Sequence, residues 1–203
     1  MSIQYPKGSM QYVKKQNQTV SKQKKQVDYA HRGMRFEDMI NQSNEYYLSR
    51  HIAVIHKKPT PIQIVKVDYP RRSAAKITEA YFTQASTTDY NGVIQNCYID
   101  FEAKETKSKT SFPLSNFHQH QIDHMMACEE QGGLCFVLLW FSTLHRCFYL
   151  DFSILNHYWS RQQEGRKSIP LSVIEETGTE CVVGIAPVID FIQPVIQRIQ
   201  TIQ

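Results

Sequence analysis

The run Tyr98-Ile99-Asp100-Phe101-Glu102-Ala103-Lys104 alternates polar and apolar residues with a period of two. It reads as a β-strand with one apolar and one charged face. A charged face on a strand set among long apolar runs meets either solvent or a site. The stretch from Thr87 onward supplies its partner, and two hairpin registers compete. A two-residue turn at Gln95-Asn96 sets Asp89 directly opposite Glu102, with Cβ atoms about 5 Å apart. Carboxylates so placed repel each other unless something positive lies between them. A divalent cation with oxygen ligands fits that gap, and Lys104 projects from the same face. The rival turn, Asn91-Gly92, is the better two-residue hairpin signal. It leaves Glu102 roughly 25 Å down the strand from Asp89, at about 3.3 Å per residue. Spacing leaves both registers open, along with a plain exposed edge strand carrying scattered charges.

The rest of the chain frames this hairpin. Residues 133–141 are apolar on both faces, as in a central buried strand. Between the two strands, Ser115 is placed to cap a helix running to about Gln131. Strand, helix, strand in that order implies a right-handed crossover and parallel pairing. Upstream, Phe36, Met39, Ile40, Ser43 and Tyr47 form one stripe of a helix over 33–49. Glu37 lies at the edge of that stripe and reads as a solvated flank. Runs at 61–67 and 75–82 form a second hairpin around a turn at 68–73. It and its approach carry Lys57, Lys58, Lys66, Arg71, Arg72 and Lys76, interleaved with Tyr69, Tyr81 and Phe82. Such a mixture suits a solvated hairpin with packing aromatics, but the cations outnumber the acids here, which favours phosphate contact with base stacking. Further strands are expected at 147–152 and 181–185, and helices at 153–160 and 190–199. The class is therefore mixed α/β.

The chain of 203 residues is long enough for one domain with a core that needs no staples. Its net charge of +4 is uneven. Residues 1–27 hold six lysines and no acid, which leaves 17 basic against 19 acidic residues elsewhere. Residues 1–28 read as a disordered basic arm, either phosphate-attracting or merely solubilising, with the domain at 29–203. Arg32 and its basic neighbours crowd a helix start, where bound phosphate relieves the dipole. Five cysteines without a Cys-x-x-Cys pair read as reduced core residues of a cytoplasmic protein. No apolar run is long enough to span a membrane. His118, His120 and His124 invite a zinc reading, but no Cys or acidic partner completes a tetrahedral set nearby, so they read instead as phosphate-facing or surface histidines. Gln121, on the same helix, offers an amide oxygen. No phosphate-binding glycine motif and no nucleophile elbow is present.

Several pieces together resemble a known family. They are His31-Arg32-Gly33-Met34, Ser43-Asn44-Glu45-Tyr46-Tyr47, Ile55-His56-Lys57-Lys58-Pro59-Thr60-Pro61, Ser86-Thr87-Thr88-Asp89-Tyr90-Asn91-Gly92 and Tyr98 to Thr106. Ser111-Phe112-Pro113-Leu114, His120-Gln121-Ile122 and Arg166-Lys167-Ser168-Ile169-Pro170 join them. Over about residues 30 to 190 the chain resembles the RecU family of Holliday junction resolvases. The resemblance implies a restriction-endonuclease-like mixed sheet flanked by helices, a protruding hairpin stalk at about 60–82, a homodimer and Mg²⁺. It implies symmetric nicking of four-way junction DNA in recombination and repair, with a strand-exchange recombinase as a possible protein partner. Carried over by position, Thr87, Asp89, Glu102 and Gln121 hold the metal, and Lys104 stabilises the transition state. Arg32, Lys57, Lys58, Lys66, Arg71, Arg72, Lys76, Tyr81 and Phe82 are the expected DNA contacts. Asp100 receives no role. A non-catalytic DNA-binding modulator of recombination, and a sequence-specific restriction nuclease, are the rival readings.

Overall fold

A computed structural model describes residues 35–83 and 87–202, so the basic arm and Arg32 lie outside the described residues. The first element is helix α1 (Phe36–Ser49), which buries the expected stripe of Phe36, Met39, Ile40, Ser43 and Tyr47. Strands β1 (Val54–Lys57), β4 (Tyr90–Ile94), β5 (Cys97–Thr106), β7 (Leu134–Phe141), β8 (Arg146–Asp151), β10 (Thr179–Val183) and β11 (Ile189–Asp190) form one sheet in that order. All neighbours are antiparallel except β5 and β7, whose parallel pairing runs from Ile99 opposite Leu134 to Thr106 opposite Phe141. Helix α2 (Gln119–Glu130) makes the crossover between them. Helices α3 (Phe152–Ser160), α4 (Leu171–Thr177) and α5 (Ile192–Ile202) complete the body, with a small sheet of β6 (Ser111–Pro113) and β9 (Ser168–Pro170). This is the expected mixed sheet flanked by helices.

Period-two alternation sorts the core onto both faces of the sheet. On one face Phe101 stacks between Tyr90 and Phe136, with ring centroids 4.9 and 4.7 Å apart, and Phe191 closes the group. Tyr47 and Phe36 of α1 cover this side against Phe191 and Trp140. On the other face Cys135, Val137 and Leu139 pack with Ile122 and Met125 of α2. β7 is buried at all eight positions, as a central strand covered on both faces must be. The charged face of β5 therefore points not to open water but under α2.

Three local expectations change. Ser115 does not cap α2, because Leu114–Asn116 forms a 3₁₀ turn and the helix starts at Gln119. The cap is His118, whose backbone N–H donates to Gln121 Oε1 at 3.0 Å, the reciprocal half of a capping box. A short strand, β1, lies ahead of the second hairpin and was not anticipated. The second hairpin, β2 (Ile62–Asp68) with β3 (Lys76–Phe82), forms a separate two-stranded sheet exposed at every position.

Candidate active site

The register of β4 and β5 decides between the two hairpin readings. Tyr90 pairs with Phe101 and Ile94 with Cys97, so the turn is Gln95-Asn96. Both turn residues have positive φ, 48° and 62°, as the hairpin turn that matches strand twist requires. Gly92 has a different job. A Cβ there would lie 2.3 Å from the carbonyl oxygen of Val54, so the glycine admits β1 alongside β4. Asp89, one step beyond Tyr90, thus stands across from Glu102.

The Glu102 side chain is fully buried, whereas Asp89 and Thr87 are half-buried and the Lys104 side chain is 20% exposed. Glu102 is thus flanked by three partly exposed residues. Glu102 Oε2 accepts the backbone N–H of Asp89 at 3.1 Å. Its Oε1 forms an ion pair with Lys104 Nζ at 2.6 Å and, among the described residues, accepts from no neutral donor. Burial, first, and then the adjacent Asp89 carboxylate push the Glu102 carboxyl up to about 8, against the pull of Lys104. Two opposed carboxylates, one of them fully buried, share one lysine and are short of positive charge. Carboxylates so opposed are hard oxygen donors that fit a Mg²⁺-class cation.

Gln121 is buried on α2, and its Oε1 already accepts the His118 N–H, leaving one lone pair for another partner. α2 runs antiparallel to β5. His124 meets Asp100 at one end, and the Lys104 charge lowers the His120 pKa, after burial and His118, at the other. Gln121 sits on the turn between these contacts.

Two residues before Glu102, on the same face, Asp100 is equally buried but fully satisfied. It accepts from Lys58 Nζ at 2.7 Å, Tyr98 Oη at 2.7 Å and the Thr88 hydroxyl, and His124 Nε2 lies at 3.2 Å. Lys58 was expected on DNA. Its ammonium instead turns inward, because Asp100 is a buried charge that needs a cation. The histidine expectation is corrected as well. The fold brings both an acid and a thiol to His124, and the ligand atoms of Asp100, His124 and Cys128 lie within 4.8 Å of one another. The strand's charged face had to meet whichever helix covered it, and that was the available signal.

Among the described residues, the other cations of the expected DNA set lie on exposed surface. Lys57 pairs with Glu37, half-exposed on both sides. Lys66, Arg71 and Lys76 are exposed on the second hairpin, where Tyr81 is 60% and Phe82 83% exposed. Arg72 opens a 3₁₀ turn at the hairpin tip, and its side chain lies outside the described set.

The model of the recombination protein U family matches residues 31–197. The Holliday junction resolvase RecU of Geobacillus kaustophilus is 56% identical over 196 residues, 96% of each chain. That of Lactiplantibacillus plantarum is 57% identical over 193 residues, 95% of this chain and 93% of its own. A solved archaeal structure, the Hjc Holliday junction resolvase of Archaeoglobus fulgidus, overlaps 52% of this chain and 78% of its own at 14% identity and a TM-score of 0.35. With a match across 31–197 and relatives this similar over nearly the whole length, the chain belongs to the recombination protein U family.

Proposed function

We propose that this chain is a Mg²⁺-dependent, structure-specific endonuclease that resolves four-way DNA junctions by nicking two strands symmetrically. The single observation that carries the reading is the opposition of Asp89 and the fully buried Glu102 across the β4–β5 hairpin. The relatives named Holliday junction resolvases supply the substrate class. Asp89 and Glu102 hold the cation, with Thr87 and Gln121 completing its oxygen ligands. Bound Mg²⁺ supplies Lewis acidity toward the scissile phosphate and makes a bound water more acidic. Lys104, 2.6 Å from Glu102 and partly exposed, reaches the same opening and neutralises charge that develops on the phosphate. Junction resolution needs two cuts, and a two-fold dimer presents two equivalent sites.

The exposed hairpin serves binding. Lys66, Arg71 and Lys76 contact backbone phosphates, while Tyr81 and Phe82 stack on unpaired bases at the junction centre. The test is a labelled four-way junction cut with and without Mg²⁺. Glu102→Gln binds the junction as wild type does and loses about 10²–10³ in nicking rate. Ordinary cutting by that variant removes Glu102 from the site. Cutting of linear duplex in preference to junctions replaces a resolvase with a restriction nuclease. Binding without any cutting by wild type leaves a DNA-binding modulator.

A further inference from the structure

Asp100, His124 and Cys128 differ from the Glu102 site in donor type: one oxygen, one nitrogen and one sulfur. His124 and Cys128 are four apart on α2 and so share a helix face, and Asp100 meets them from β5. Zinc bonds of about 2.0 Å to oxygen, 2.05 Å to nitrogen and 2.3 Å to sulfur set tetrahedral ligand edges of about 3.3 Å for N···O and 3.6 Å for N···S. His124 Nε2 lies 3.2 Å from Asp100 Oδ2 and 3.6 Å from Cys128 Sγ. These two edges match those of a coordinated ion, and the third, Asp100 to Cys128, lies within 4.8 Å. The cluster is not without a cation, however. Lys58 Nζ lies 2.7 Å from Asp100 Oδ2, 3.0 Å from Thr88 Oγ1 and 3.3 Å from His124 Nε2.

We propose that Asp100, His124 and Cys128 form a binding site for a thiophilic divalent ion of the zinc class, with the Lys58 ammonium as its resident competitor. The exchange keeps the buried charge balanced. Before it, the carboxylate and the ammonium cancel. During it, the ammonium swings to solvent, the Cys128 thiol gives its proton to water, and the dication is met by a carboxylate and a thiolate. Cys128 is only half-buried, whereas Cys97, Cys135, Cys147 and Cys181 are buried, so it is the thiol within reach of an incoming ion. A hard ion such as Mg²⁺ gains little from sulfur and imidazole, so the two neighbouring sites select different metals. One consequence rests on the nuclease reading. Asp100 anchors Thr88, which lies between Thr87 and Asp89, and the Lys58 backbone N–H donates to the Asp89 carbonyl at 2.7 Å. An ion that expels Lys58 loosens that loop, so zinc-class ions inhibit cutting in Mg²⁺.

The binding test uses neither DNA nor Mg²⁺, so it stands apart from the nuclease reading. Full-length protein is titrated with Cd²⁺ while the thiolate-to-cadmium charge-transfer absorbance is followed. The expected result is saturation at one equivalent per chain and loss of the band in Cys128→Ser, whose melting temperature stays that of wild type. Lys58→Gln, lacking the competitor, binds Cd²⁺ at least about tenfold more tightly. The gain counts only at one equivalent per chain and only where adding Cys128→Ser abolishes it, because an unfolded variant would expose the four buried thiols. No band in wild type, an unchanged band in Cys128→Ser, or unchanged affinity in Lys58→Gln each overturns the proposal.

Discussion

Asp100 and Glu102 occupy successive positions on one face of β5, and both are completely buried. They differ in what surrounds them. Asp100 has an ammonium at 2.7 Å, two hydroxyl donors and an imidazole. Glu102 has a second carboxylate opposite, one lysine at 2.6 Å and one backbone N–H, less compensation against more negative charge. Identical burial thus costs one acid little and leaves the other in deficit. Burial alone does not mark a site; burial with the compensation withheld does.

The largest test of this contrast is Asp100→Asn. Asparagine leaves the Lys58 ammonium, whose side chain is only 17% exposed, without its counter-charge. Loss of one partner of a buried pair costs about 3–5 kcal/mol, to be read from urea unfolding. A cost under about 1 kcal/mol shows that Lys58 relaxes to solvent and that the pair holds little together.

Glu102→Gln tests the other acid with the opposite sign. Metal-free, the folded chain holds the Glu102 proton up to about pH 8, far above the ordinary carboxylate range. Folded binds the proton more tightly than unfolded. The group's contribution to stability is therefore complete below about pH 4.5 and is lost as pH rises through 8. Glutamine has no charge to lose. In a chelator at pH 8.5 the variant is more stable than wild type by about 1–3 kcal/mol, and at pH 4 the advantage is gone. Mg²⁺ stabilises wild type and not the variant. Destabilisation by Gln at both pH values contradicts the deficit.

How far the sequence anticipated this contrast depends on the range over which each contact is made. The Asp89–Glu102 opposition follows from a local hairpin, so counting across Gln95-Asn96 sufficed. What misled was Asn91-Gly92, where glycine answers a packing demand from β1 rather than a turn. The Asp100 cluster joins residues of β5, α2 and the segment after β1. A parallel crossover brings such positions together with no short-range signature, so Lys58 read as a surface cation and His124 as lacking partners. The core was plain, because β7 is apolar throughout and α1 carries its stripe.

Tyr98→Phe probes how redundant the Asp100 shell is. It removes one donor of four at a half-exposed position while keeping the ring. The expected loss is about 1 kcal/mol. A loss near that of Asp100→Asn makes the hydroxyl, not Lys58, the main support.

The smallest effect on stability belongs to the lysine next door. Lys57 and Lys58 are sequence neighbours, and each pairs with a carboxylate. Lys57 and Glu37 are 42% and 50% exposed in their side chains, whereas Asp100 is fully buried. An exposed pair contributes about 0–1 kcal/mol, so Lys57→Met leaves the urea midpoint nearly unchanged. Solvent already competes for Lys57, so exchanging Glu37 for a DNA phosphate costs little. Junction binding by Lys57→Met therefore weakens, and the slope of log K against log salt falls by about one. An unchanged slope, with stability also unchanged, makes Lys57 a solvated charge and leaves phosphate contact to the exposed hairpin.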